Sequence, residues 1–451
     1  MAFLGRAFLG PAFLGAAALG AVVLLPGWGA GEAAAAELVP GQGAIIGTAA
    51  PGKAIVRLDT AILTEVGMGS GTNDTARVTT PAGPVTVREN AYDIMMYARI
   101  YPAFDAQTPG GFRYGGFGEI RANSNTGAAG AGVAGTPSGV VGTAGQRNTN
   151  TLFWNRAYGY VGTDSLGLLR FGMVDGPFGL LKVGTFESFG DGGLNRSNLG
   201  AMAGPDANIW YFPINISSEY SSQKLSYTSP NFAGFDFGLS FAPSTATHQG
   251  SDGSLVAIGG TARQAVSTLA SDATRYTNLF EVAGRYRNTI GGVGVAANLG
   301  YMSSNKVSVA GLPREGLSIF DAGATVSYAG FMFGGHVSTG TFNGTTNLAA
   351  PGAKTSTVWL LGAQYERGPW LFGAHYLNAT IPDHVTLPQL TSLRAQGAAA
   401  GVNWVWAPGA KAYVEALYIS RSHPGFDLRL GDDARSSVTA GQIMIGQVFR
   451  W

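Results

Sequence analysis

The chain has 451 residues, 12% of them charged and 69 of them glycine, and its 28 Lys and Arg nearly balance 27 Asp and Glu for a formal net charge of +1. Soluble domains carry about 25% charged residues, so this composition argues against an ordinary soluble protein, and the near-neutral balance excludes a nucleic-acid or acidic partner drawn by a global field. Mean hydropathy is positive at +0.13, yet beyond the N-terminus no run of about 18 apolar residues offers a spanning helix. Apolar content without helices is what a membrane barrel produces, because lipid-facing and lumen-facing residues alternate along each strand.

The chain opens with Arg6, then an Ala, Leu, Gly, Val and Phe-rich stretch to Leu25, then Ala33-Ala34-Ala35-Ala36 before Glu37. That order predicts a cleaved secretory signal over 1–36 and a barrel over 37–451. An anchor helix is the alternative, and the repeated Phe-Leu-Gly triplets and Pro11 make a poor helix. The absence of cysteine fits an exported chain without disulfides.

From there, alternation predicts strands at 53–66, 88–104, 111–123, 151–164, 167–175, 219–229, 234–244 and 274–288 in the first half. The second half gives 292–304, 317–329, 331–343, 354–367, 370–380, 392–406, 410–421 and 436–451. Tight turns such as Asp164-Ser165-Leu166-Gly167, Asn288-Thr289-Ile290-Gly291-Gly292 and Ala407-Pro408-Gly409-Ala410 join them at one end. Long polar connectors at 124–150, 245–273 and 344–353 join them at the other. The fold expected is therefore all-β: a sixteen-stranded antiparallel transmembrane β-barrel with short periplasmic turns and long external loops. Gly130-Ala131-Gly132-Val133-Ala134-Gly135 matches a dinucleotide fingerprint, but no helical pattern follows it. Trp154, Trp359, Trp370, Trp404, Trp406 and Trp451 lie near predicted strand ends, where an indole can place its ring in lipid and its N–H in water.

Several segments resemble the general porins of Gram-negative outer membranes. They are Arg156-Ala157-Tyr158-Gly159-Tyr160-Val161-Gly162 with Leu168-Leu169-Arg170-Phe171-Gly172, and Leu225-Ser226-Tyr227-Thr228-Ser229-Pro230-Asn231-Phe232-Ala233-Gly234-Phe235. Phe280–Tyr286 and Leu361–Tyr365 are weaker echoes. The alternation of Ile443, Ile445, Phe449 and Trp451 resembles the family's terminal signal for the barrel assembly machinery, with Trp in place of the usual Phe and Gln447 interrupting the apolar face. The resemblance implies an outer-membrane homotrimer among lipid and lipopolysaccharide that passes small hydrophilic solutes passively, without a cofactor.

It also implies that the third external loop, Val174 to Ser218, folds into the barrel with Glu187, Asp191 and Asp206 as its acidic face and Lys182 and Arg196 as its basic residues. Across from it the family sets a basic wall. If Val56, Leu58 and Ile62 face lipid, alternation points Arg57 inward, and the same parity turns Arg99, Arg113, Arg121 with Glu119, and Arg156 to the lumen. A lipid-side Arg near the midplane costs about 2–4 kcal/mol, which favours this parity. Where the family often has Gly-Arg at the end of the fifth strand, this chain has Gly172-Met173, so the sign of ion selectivity stays open. Trp210, Tyr211 and Phe212 read either as a stacking ladder for a sugar-selective channel or as anchors of the loop.

Enzymatic motifs are missing: there is no G-x-S-x-G and no H-E-x-x-H. His248, His336, His375, His384 and His423 lack metal-ligand spacing, although His336 and His375 could approach each other inside a barrel. A plugged or adhesive barrel is disfavoured because sixteen strands enclose an aqueous channel rather than a filled interior.

Overall fold

The computed structural model describes residues 49–71, 75–80, 83–88, 91–123, 152–197, 211–213, 223–244, 276–309, 312–344, 348–382, 392–424 and 436–451. All of them belong to one compact unit, Val39–Trp451. The proposed signal over 1–36 lies outside the described residues.

Sixteen described strands close into a barrel. In chain order they are β1 Lys53–Gly71, β2 Tyr92–Gln107, β3 Arg113–Asn123, β4 Leu152–Thr163, β5 Gly167–Met173, β6 Gln223–Thr228, β7 Phe235–Ser244 and β8 Thr277–Ile290. The second half comprises β9 Val293–Ser303, β10 Ser318–Tyr328, β11 Phe331–Thr341, β12 Ser356–Arg367, β13 Trp370–Ile381, β14 Leu393–Ala407, β15 Ala410–Ser422 and β16 Ser437–Arg450. Each pairs antiparallel with its sequence neighbour, and β16 closes on β1 with Arg450 opposite Ala61. Thr60 and Trp451 then exchange two backbone hydrogen bonds at the seam. Two short hairpins, Thr75–Thr80 with Gly83–Arg88 and Val307–Val309 with Leu312–Arg314, stand apart from the barrel sheet.

The register follows the side-chain alternation. On β1, Val56, Leu58, Val66 and Met68 are exposed while Ala61, Leu63 and Glu65 between them are buried. A slip of one residue would carry every apolar side chain to the wrong face. Turn chemistry pins the ends: after Ile290, Gly291 and Gly292 take φ +59° and +83°, the paired left-handed conformation that a tight hairpin requires.

An aromatic girdle marks the turn end. Trp370 stacks on Trp404 at 5.5 Å, Phe331 on Tyr365 at 4.3 Å, and Trp406 meets Phe449 edge-on. Trp154 also faces outward, but by a route that alternation alone does not provide. A bulge sets Asn155 and Arg156 together against Glu119, so the parity flips and Trp154 pairs opposite outward-facing Ile120.

The main hydrophobic cluster lies inside the barrel. Phe178, Phe186, Phe189 and Leu194 from the segment after β5 pack with Leu360, Leu377, Leu393 and Ala399 of the wall. Burying a Phe or Leu side chain contributes about 1.5–3 kcal/mol, so this segment belongs to the folded wall as firmly as a core element does.

Candidate functional site

The segment from Val174 to Ser197 enters the lumen and follows the inner wall strand by strand. It carries two single-turn helices, α1 Pro177–Leu180 and α2 Gly193–Arg196. Asn298 of β9 accepts from the Val183 N–H at 2.9 Å, and His336 of β11 reaches the Val183 carbonyl at 2.9 Å. Farther along, His375 of β13 contacts the Phe186 carbonyl and accepts from the Leu194 N–H. Asn403 of β14 bonds both Ser188 and Gly190. Lys411 of β15 donates to the Gly190 carbonyl, and Glu415 accepts from the Asp191 and Gly193 N–H groups. The wall is hollowed for the loop's rings, because Cβ atoms on Gly362 and Gly373 would come within 2.5 Å of Phe186 and 2.2 Å of Phe189.

These contacts reach from β9 to β15, and the arginines occupy strands beyond them. On β3, Glu119 is completely buried, and three guanidiniums converge on it. Arg121 bonds it at 2.6 Å, Arg156 at a short hydrogen bond, and Arg99 lies 3.8 Å away. Asn155, brought inward by the bulge, adds a third hydrogen-bond donor beside Arg121 and Arg156. Arg156 also bonds Asp175 at the root of the loop at 3.0 Å, which ties wall to loop. The carboxylate sits beneath its partners: the side chains of Arg99 and Arg121 keep 16% and 23% exposure while Glu119 keeps none. Water in the lumen therefore meets guanidinium first.

Of the five expected wall residues, Arg99, Arg121 and Arg156 form this cluster. Arg57, opposite Ala103, is four positions along β1 from Ala61, the partner of Arg99. At about 3.3 Å per residue it lies about 13 Å toward the turn end. Arg113 is displaced farther the same way, pairing with Asp105 at 3.2 Å and Asp164 at 3.3 Å. There it also bonds the Ala49 carbonyl, while Asp105 accepts from the Ala49 N–H and the Tyr160 hydroxyl. That set clamps the chain just before β1. Alternation reports which face a side chain takes and says nothing of its height, so it groups Arg57 and Arg113 with the others.

Glu187 lies on the loop, paired with Lys182 at 3.4 Å and Arg196 at 3.6 Å and bonded by Asn195 at 2.5 Å. Burial alone would push its carboxyl up, but Lys182 and Arg196 outweigh that and hold it below the usual range. Asp191 sits at the β15 end. Asp206 and Trp210 lie outside the described residues. Tyr211 and Phe212 are each 1% exposed, in the main hydrophobic cluster, with the Phe212 ring 5.3 Å from His336. Their ring faces are packed within that cluster.

Three contributors escape a reading by motif. Arg170 on β5 is buried between outward-facing Leu169 and Phe171, and its Nε has no hydrogen-bond partner among the described residues. Parity on β5 would have shown it, and it supplies a lumenal guanidinium on the strand that ends in Gly172-Met173. Glu119 as the hub, and Asp175 as the link to the loop, depend on distances between strands. Among the described residues no group of three or more His, Asp or Glu is arranged to hold a metal ion.

A family model described as Gram-negative porin matches residues 20–424. The chain belongs to this family. The porin matches no curated protein in sequence. Among solved structures it is similar to the anion-selective porin from Comamonas acidovorans, with 14% identity, TM-score 0.51, and coverage of 88% of this chain and 100% of that one. It is also similar to OmpT, an outer membrane protein of Vibrio cholerae in its trimer form, at 12% identity and TM-score 0.50, covering 88% and 99%. A mutant of the Rh. blastica porin aligns at 12% identity and TM-score 0.49, covering 88% and 100%. At these identities the Comamonas and Vibrio structures speak for the barrel fold, and the family match makes the porin an outer-membrane channel for passive diffusion.

Proposed function

We propose that the porin passes small hydrophilic solutes through a constriction between the Val174–Ser197 segment and the arginine wall, with a preference for anions. The observation that carries this reading is the layered charge at Glu119: Arg99 and Arg121 retain solvent exposure while the carboxylate beneath them has none. Arg99, Arg121 and Arg156 stand against Glu119 and Asp175, three positive charges against two negative, whereas on the loop Lys182 and Arg196 balance Glu187 and Asp191. A ring of guanidiniums in a narrow aqueous path lowers the barrier for anions and raises it for cations. In a KCl gradient across a planar bilayer, the reversal potential is expected on the chloride side; a potassium-side value would overturn the reading. A sugar ladder would need exposed ring faces, and Tyr211 and Phe212 have none to offer.

The same reading makes residues 1–36 the signal and the assembled form a homotrimer in outer-membrane lipid and lipopolysaccharide. Gln447 supports a subunit contact, since it pairs with Thr64 on the outer face and leaves a polar spot amid Ile443, Ile445 and Phe449. Trp451, exposed beside the seam, serves as the mark for the assembly machinery. Deleting it is expected to lower the heat-modifiable barrel recovered from outer membranes severalfold; parental yield would dismiss that role.

A further inference from the structure

His336 and His375 hold the lumenal segment from two positions on the wall, and their hydrogen bonds demand different protonation states. Both are buried. The His375 Nδ1 lies 3.2 Å from the Phe186 carbonyl, which can only accept, so Nδ1 carries a proton. Its Nε2 accepts from the Leu194 N–H at 2.8 Å, so Nε2 carries none. The ring must therefore be neutral, and protonating it sets two N–H groups against each other.

His336 has the opposite requirement. Its Nδ1 meets the Val183 carbonyl, again an acceptor only, and its Nε2 meets Asp321 Oδ2 at 2.7 Å. Asp321 also accepts from Ser338 Oγ at 2.9 Å and from Asn298 Nδ2 at 2.8 Å, the arrangement a carboxylate makes. Two acceptor partners call for a His336 ring that donates from both nitrogens. Deprotonating it sets a bare nitrogen against the carboxylate.

From this geometry we infer that the two histidines form a two-sided pH latch, which keeps the constriction segment seated between an acid limit set by His375 and an alkaline limit set by His336. The sign follows directly. A site that accepts only the neutral ring loses its contribution as pH falls, and one that needs the imidazolium loses it as pH rises. The neighbours are few. His375 faces the Phe189 ring at 5.0 Å and the charge of Glu187, and its strand neighbours Gly362 and Ala399 are uncharged. His336 faces Asp321 and the Phe212 ring, its strand neighbours Gly323 and Leu360 are uncharged, and Lys182 approaches Asp321 from the loop. Beyond them, Glu415 with Lys411 and Asp191 grips the far end of the segment and is the competing acid sensor.

The latch rests on the loop narrowing the pore, so its test separates the two ideas. In the full-length porin labelled with ¹⁵N-histidine and studied at neutral pH, one ring is expected protonated at Nδ1 only and absent from His375→Gln. A second is expected protonated at both nitrogens and absent from His336→Gln. An Nε2-protonated His375, or a His336 with a bare nitrogen, overturns the latch whatever the loop does to conductance. In bilayers, closure events are expected to rise as pH falls in the parent and to lose that rise in His375→Gln, because an amide can donate and accept at any pH. A rise on the alkaline side should likewise vanish in His336→Gln. An acid response that survives His375→Gln and disappears in Glu415→Gln assigns the sensor to Glu415 and overturns the inference, as does a parent channel indifferent to pH on both sides.

Discussion

Replacing Glu119 by glutamine is expected to raise the chloride-to-potassium permeability ratio and to weaken the barrel at once. The carboxylate accepts from Arg121 and Arg156, pairs with Arg99 at 3.8 Å, and has no exposure of its own. Removing its charge leaves the guanidiniums repelling one another across β2, β3 and β4, with Asp175 as the remaining anion of the cluster. Removing one partner of a buried ion pair costs about 3–5 kcal/mol. Arg99 and Arg121 are partly wet, so solvent screening brings the cost toward the lower end. The measurements are the reversal potential in a KCl gradient and the urea midpoint of the folded band. An unchanged ratio in a folded Glu119→Gln channel would mean that this cluster is structural and that another part of the lumen sets selectivity. Arg156→Ala should move the ratio the opposite way, since it removes a positive charge and the bond to Asp175.

The second large effect is expected at Gly184. Its φ is +81°, and an added Cβ would stand 2.2 Å from the backbone oxygen of Gly335. The left-handed backbone costs a side chain about 1–2 kcal/mol, and the collision is with backbone, which cannot rotate away. Gly184→Ala should therefore lift the segment off β11 between its anchors at Val183 and Phe186 and push it into the open lumen. Single-channel conductance is expected to fall and current noise to rise, with heat-modifiable mobility retained because the barrel strands are untouched. Parental conductance and noise would show that the segment absorbs the change without moving. Gly291→Ala, at a turn where nothing lies within 4 Å of the added Cβ, serves as the control for strain without displacement.

Much of this architecture could be read from the sequence because a barrel strand writes its two faces into every second residue. All sixteen strands fall where alternation and turn residues put them, and the inward parity of Arg57, Arg99, Arg113, Arg121 and Arg156 follows from their apolar neighbours. Trp154 shows where the rule stops. One bulge at Asn155 reverses parity, and a bulge has no fixed mark in composition. The resemblance placed the inward loop, but its glycine hollows at Gly362 and Gly373 belong to strands far along the chain, where each glycine looks like any other.

By itself the sequence determined the period-2 pattern, the tight turns, the aromatic strand ends and the family. These are local properties, fixed by residues within a few positions of one another. The tertiary structure alone decided which charges meet. It gathered Arg99, Arg121 and Arg156 around Glu119, left Arg57 and Arg113 toward the turn end, buried Tyr211 and Phe212 in the main hydrophobic cluster, and set His336 and His375 against different partners. The physical reason is that strand tilt and closure set the height and partners of a side chain, and an electrostatic interaction depends on those distances rather than on which face the residue occupies.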